Sequence, residues 1–122
     1  MLDHVSIGVS DIERSKSFYD AALRPLAIER LYAEGEAFGY GLNPKAFFWI
    51  GLRPSVLSGT HIAFAATDRG AVDAFHAAAL AAGGRDNGAP GLRPRYHVNY
   101  YGAFILDPDG HNIEAVCRRP VG

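Results

Sequence analysis

The sequence predicts an α+β domain made of two βαβββ modules in tandem. Three observations carry this. Two segments repeat one pattern without a gap, each repeat starts as a strand and continues as a helix, and both end in short apolar strands joined by turns. Leu2–Leu23 (LDHVSIGVSDIERSKSFYDAAL) aligns with Gly59–Leu80 (GTHIAFAATDRGAVDAFHAAAL). His4 falls on His61, an offset of 61 − 4 = 57 residues, and Asp11, Phe18, Ala22 and Leu23 fall on Asp68, Phe75, Ala79 and Leu80. The modules are set at residues 1–55 and 56–122 of a single domain.

The first strand, over residues 2–9, alternates with period two. Val5, Ile7 and Val9 share one face, and His4, Ser6 and Gly8 share the other. A helix follows, capped by Ser10 or Asp11, with Glu13 in its first turn and Pro25 ending the run. Strands are expected at 28–33, 36–42 and 46–52, with Asn43-Pro44-Lys45 as a turn. The second module repeats the order: strand 60–66, a cap at Thr67 or Asp68, and a helix to about Ala82 stopped by Gly83-Gly84. Asp86–Pro94, with two Pro and two Gly, reads as a loop. Residues 95–106 and 111–118 read as strands joined by the strong turn Asp107-Pro108-Asp109-Gly110. Aligning the two final hairpins with one gap sets Trp49 on Glu114.

Composition narrows the function. The chain has 122 residues, 48% of them hydrophobic, which suits one domain with a real core. A net charge of −1 gives no basic surface for nucleic acid, and no apolar run is long enough to span a membrane. The segment MLDHVSIGVSD lacks the regions of a secretory signal, so a cytoplasmic setting is expected. Cys117 is the single cysteine, on the face of Ile113 and Ala115, where it reads as buried and inert. It leaves neither a disulfide nor a thiolate metal cluster. A metal here must be held by His, Asp or Glu.

His4 and His61 are candidate metal ligands because they hold one position in two copies of one unit. Both lie opposite the apolar positions of their strands. Glu114 stands in an otherwise apolar strand, opposite Ile113 and Ala115. Buried alone, its carboxylate would cost several kcal/mol, roughly. A cation shared with two imidazoles removes that cost and leaves coordination positions open for a substrate. The competing account makes each His an ordinary hydrogen-bonded residue and Glu114 a surface group on an edge strand.

The opening LDHVSIGVSDIERSKSFYDAAL, the second THIAF and the closing FILDPDGHNIEAV together resemble the vicinal oxygen chelate superfamily. That group includes glyoxalases, extradiol dioxygenases, fosfomycin-resistance transferases and bleomycin-resistance proteins. The resemblance implies a cup-like mixed sheet with helices outside, and a homodimer whose modules pair within the chain or exchange between chains. It also implies a divalent metal (Fe, Mn, Zn or Ni) on His4, His61 and Glu114, acting on a small oxygenated or electrophilic substrate. The metal-binding glyoxalases carry a fourth ligand, usually Glu, where Trp49 stands here. An indole N–H cannot ligate a metal, which argues against lactoylglutathione lyase activity. Dioxygenases and fosfomycin transferases commonly place a Tyr where this chain has Phe104, with Tyr100 and Tyr101 close enough in sequence to substitute.

The run Arg93–Tyr101 supplies the remaining candidates. His97 is a candidate general base or extra ligand, and Tyr101 a candidate catalytic phenol. Arg95 is set to hold an anionic group, while Tyr96, Tyr100, Trp49 and Phe104 are candidate pocket walls. His76 is expected as a surface or helix-packing residue and His111 in local hydrogen bonds. The alternative function is a metal-free binding module of the bleomycin-sequestering kind, with aromatic walls around its ligand.

Overall fold

A computed structural model describes residues 1–120. The first module runs β1 (Val5–Val9), α1 (Ile12–Ala22), a 3-10 turn (Arg24–Leu26), β2 (Glu29–Glu34), β3 (Ala37–Leu42) and β4 (Lys45–Leu52). The second runs β5 (His61–Ala65), α2 (Arg69–Ala81), β6 (Arg85–Leu92), β7 (Tyr101–Leu106) and β8 (Asn112–Cys117). Each module makes its own four-stranded mixed sheet, in the orders β1-β4-β3-β2 and β5-β8-β7-β6. The first strand of each module pairs parallel with the last, and the other pairs are antiparallel.

The caps form as the sequence suggests. Asp11 accepts the Arg14 N–H at 3.1 Å, and Asp68 accepts the Ala71 N–H at 2.7 Å. Each satisfies one of the donors that a helix start leaves unpaired. Pro25 then forces the tighter turn that ends the first helical run.

Two expectations need correction. His4 is not part of a strand, because β1 begins at Val5. Most of Asp86–Pro94 is strand β6 rather than loop, whereas residues 95–100 turn instead of extending. The reason is position. β6 is an edge strand, where the missing N–H of Pro90 costs no ladder bond and glycines absorb register shifts. Period and propensity do not reveal which strand lies at an edge.

One core joins the modules. Phe18 and Tyr19 from α1, Phe48 and Ile50 from β4, Phe64 from β5 and Phe75 from α2 all belong to it. Phe48 and Phe64 meet edge to face across the seam, with ring centroids 5.2 Å apart. The polar part of the seam comes from the β7–β8 turn. Buried Asp107 accepts the Asp109 and His111 N–H groups, each at 2.9 Å, on one oxygen and the Tyr19 phenol at 2.5 Å on the other. Asp109 reaches Ser10 with two backbone contacts and one hydroxyl bond. His111 Nε2 bonds the Gly8 carbonyl at 3.0 Å, so this buried ring spans the modules instead of bonding only within its turn. Gly110, at φ 83°, lets the turn close where an L side chain would be strained.

Tyr19→Phe leaves one buried Asp107 oxygen without a donor. It should lower unfolding stability by about 1–3 kcal/mol in urea melts. A loss below roughly 0.5 kcal/mol, the ordinary scale of a surface change, would mean that this bond does not hold the seam.

Candidate functional site

The strand registers test the Trp49–Glu114 equivalence directly. Ser6 pairs with Trp49 and Gly39 pairs with Trp49 in the first sheet. Ala63 pairs with Glu114 and Phe104 pairs with Glu114 in the second. Ser6 and Ala63 differ by the same 63 − 6 = 57 residues as the two histidines. Trp49 and Glu114 therefore occupy one structural position, and Gly39 corresponds to Phe104.

The second module builds a polar centre at that position. Glu114 is only 1% exposed, on the side of β8 away from the core residues Ile113 and Ala115. Its Oε1 contacts His61 Nε2 at 2.8 Å. Its Oε2 accepts the Tyr100 phenol. Both carboxylate oxygens thus have a donor, which removes the cost of burying an unpaired charge. His61 Nε2 faces Glu114, and its other ring nitrogen, Nδ1, is not engaged by Glu114. The His61 side chain is half exposed, so the centre opens to solvent at the imidazole. Gly102 makes the geometry possible. A Cβ there would lie 3.2 Å from the Tyr100 ring and 3.3 Å from Glu114 Oε2, so Tyr100 folds back across a bare backbone.

The first module builds an aromatic surface instead. A Cβ at Gly39 would lie 2.7 Å from the Trp49 ring, so the indole rests flat on glycine. Tyr32 lies nearly parallel to it, at 13° and 6.4 Å between centroids.

The expected site residues divide accordingly. His61, Glu114, Tyr100 and Phe104 come together, with the Phe104 and His61 rings 6.1 Å apart. Tyr96 joins them edge-on to Tyr100 at 5.1 Å, and Arg95 lies over Tyr96 at 4.9 Å. Two residues expected to be catalytic are placed elsewhere. Tyr101 shares the core-facing side of β7 with Ala103 and Ile105, and its phenol donates to Asp73 of α2 at 2.6 Å. His97 is exposed, and its Nδ1 accepts the Asn99 N–H at 3.1 Å within the turn before β7. The strand period explains the first case: Tyr100, Gly102 and Phe104 share one side, so Tyr101 takes the other.

His4 stands apart from Glu114. It is exposed and bonded to Asp3 at 2.7 Å, which Lys45 also contacts. No three His, Cys, Asp or Glu residues among those described form a group able to hold a metal ion. His4 and His61 do line one cleft of about 650 Å³, with Val5, Phe47, Ile62 and Phe64 as apolar wall. β1 and β5 border this cleft, and each is the outer strand of its sheet. Arg118 was not singled out by sequence, yet its guanidinium lies 4.8 Å over the Tyr100 ring. Its alternation with Glu114 and Val116 was the available signal.

Comparison with known proteins agrees with this architecture. Residues 1–115 match the family model described as the Glyoxalase/Bleomycin resistance protein/Dioxygenase superfamily. The chain belongs to that superfamily. It is similar to a glyoxalase/bleomycin resistance protein from Albidiferax ferrireducens T118, with 36% identity over 98% of this chain and 99% of that one, at a TM-score of 0.85. It shares the fold of a glyoxalase I mutant from Zea mays, at 24% identity and a TM-score of 0.70, covering 94% of this chain and 46% of that one. It also shares the fold of the fosfomycin resistance protein FosX from Listeria monocytogenes, at 20% identity and a TM-score of 0.71, covering 95% and 88%. No curated protein matches. No helix of the described residues is long and apolar enough to cross a membrane.

Burial, then the hydrogen bond and charge of Glu114, raise the Tyr100 phenol to about 12 from its usual 10.0. The protonated donor is the form the fold favours. Its contribution to stability is full below the ordinary value of 10.0 and is lost as pH rises through about 12. The difference between wild-type and Tyr100→Phe absorbance titrations at alkaline pH should place this phenol near 12. Glu114→Gln should bring it down towards 10.0, with burial keeping part of the shift. An unchanged midpoint in that variant would deny the Tyr100–Glu114 bond.

Gly39→Ala should lift the indole off the sheet. Because the chain has one Trp, the change reads out directly as altered tryptophan emission with little change in far-UV circular dichroism. Emission identical to wild type would mean that Trp49 does not rest on Gly39.

Proposed function

We propose that this chain is a metal-dependent enzyme acting on a small oxygenated or electrophilic metabolite at the open side of the second sheet. The observation that carries the reading is the buried Glu114 carboxylate, held by one phenol and by one half-exposed imidazole that also lines the cleft. An apolar side chain would serve a core position at lower cost. A carboxylate with fixed donors beside solvent suits ligand or proton chemistry.

The donor set fits a divalent ion in part within one chain. His61 and Glu114 supply nitrogen and oxygen side by side, and His4 is too far out to complete a group of three. The set becomes complete if a second copy contributes its His4. The unpaired outer strands β1 and β5 favour such a homodimer, since bare strand edges seek partners. His4, His61 and Glu114 would then hold the ion, which supplies Lewis-acid stabilisation of negative charge on substrate oxygens. Tyr100 fixes the Glu114 carboxylate and holds a proton at its phenol oxygen up to about pH 12. Phe104 packs beside the His61 ring and Tyr96 against Tyr100, so both flank the site. Trp49 takes the place of a fourth ligand, so the chemistry differs from that of a four-ligand glyoxalase.

One observation favours a second reading, a metal-free binding module. The Trp49–Tyr32 surface over Gly39 suits stacking of a flat ligand.

Metal analysis combined with light-scattering mass separates the two. The first reading expects about one Mn(II), Fe(II), Ni(II) or Zn(II) per chain, bound by dimers. His61→Ala, Glu114→Gln and His4→Ala should each lose it, by about 10-fold in affinity or more. A monomeric wild type that takes up no stoichiometric metal would refute it, and quenching of Trp49 by planar ligands would then support the second.

A further inference from the structure

We propose that the substrate of this site carries an oxyanion, a carboxylate or a phosphate group, received by Arg118, with Arg95 at the other end of the same aromatic row. The inference rests on reading the open side of the second sheet as a small-molecule site. It goes further by naming the charge of the ligand and the residues that meet it.

Arg118 follows β8 in alternation with Glu114 and Val116, which carries it to the Glu114 side of the sheet. Its guanidinium lies 4.8 Å over the Tyr100 ring. Arg95 lies 4.9 Å over the Tyr96 ring and gives one N–H to the Tyr96 hydroxyl at 3.0 Å. The two rings meet edge to face at 5.1 Å. Arginine, tyrosine, tyrosine and arginine therefore form one stack, and the Tyr100 phenol at its centre touches Glu114.

Stacking occupies the flat face of a guanidinium. It leaves the N–H groups in the plane free, and those are the groups that grip a carboxylate or phosphate with two parallel bonds. Neither Arg118 nor Arg95 has a carboxylate within ion-pair distance among the described residues, whereas Arg30 is bonded to Asp20 at 3.0 Å. Arg93 is a useful contrast. It lies over Phe104 on the same sheet, but its donors are spent on the Gly91 and Ala89 carbonyls, each at 2.8 Å. Arg93 braces edge strand β6, whereas Arg118 keeps its donors and Arg95 gives one of its N–H groups to the Tyr96 hydroxyl.

The position also makes sense electrostatically. An anion arriving beside the buried Glu114 meets a like charge. The Arg118 guanidinium over the Tyr100 ring, whose phenol touches Glu114, offsets that repulsion, and a neutral substrate would not need it.

The test uses the full-length chain and calorimetric titration with benzoate, phenylphosphonate and the neutral analogue benzamide. Both anions should bind saturably, benzamide at least 10-fold more weakly, and the tighter anion distinguishes a carboxylate from a phosphate-type site. Arg118→Gln should weaken anion binding about 10-fold or more and Arg95→Gln by less. Arg118→Lys, which keeps the charge but not the fork, should fall between wild type and Arg118→Gln. Arg24→Gln, in the other module, should bind like wild type. Equal binding of benzoate and benzamide, or Arg118→Gln and Arg95→Gln indistinguishable from wild type, would overturn the inference. Mn(II) uptake measured on the same proteins keeps the two readings apart. Anion binding lost with metal uptake intact is the result expected of Arg118→Gln. Wild-type protein that takes up Mn(II) but no anion defeats this inference alone. Anion binding without Mn(II) uptake supports it and defeats only the metal.

Discussion

Asp107 is the residue on which the arrangement of both modules depends. One of its oxygens closes the turn between β7 and β8 from inside, through the Asp109 and His111 N–H groups, and the other holds Tyr19 of α1. A buried carboxylate with three donors is stable only if all three stay in place. The turn, the first helix and the seam are thereby fixed together. Burial first, and then the Asp107 charge, raise the Tyr19 phenol well above its usual value, so the donor keeps its proton across ordinary pH. Glu114 lies shortly after this turn on β8, so the same anchor sets the strand that carries the polar centre.

The two modules show how one scaffold supports two kinds of surface. Floor and lining change together. In the second module Phe104 stands beside Glu114 and the bare floor is at Gly102, under Tyr100. In the first module the bare floor moves to Gly39, and the indole of Trp49 drops onto it. The backbone ladder is nearly the same in both. The difference lies in where a missing Cβ allows an aromatic ring to lie flat.

Much of this was legible in the sequence, and the limits are physical. The repeat, both caps and the element order of the first module follow from period and turn chemistry, because those signals are local. The Trp49–Glu114 equivalence was also legible, since register carries it. The polar centre was legible in part. His61 and Glu114 meet, but which tyrosine reaches Glu114 depended on where β7 starts. Residues 95–100 turn, β7 begins at Tyr101, and one step of alternation sends Tyr101 to α2 and Tyr100 to Glu114. β6 was misread because edge position is a property of the whole sheet. The separation of His4 from Glu114 depends on how the modules pack, and neither propensity nor period encodes that.

The glycine floor of the first module also limits how this protein can change. By the same register, Gly35 is the counterpart of Tyr100, and it sits at φ 58° in the turn between β2 and β3. A mutation giving Glu at position 49 would recreate a carboxylate with His4 at the imidazole position but no phenol opposite. A tyrosine at 35 would have to adopt a left-handed backbone that such residues rarely hold. The intermediate steps each carry an unpaired charge or a strained turn. A polar centre in the first module would therefore need a change in its turn as well as in its strand.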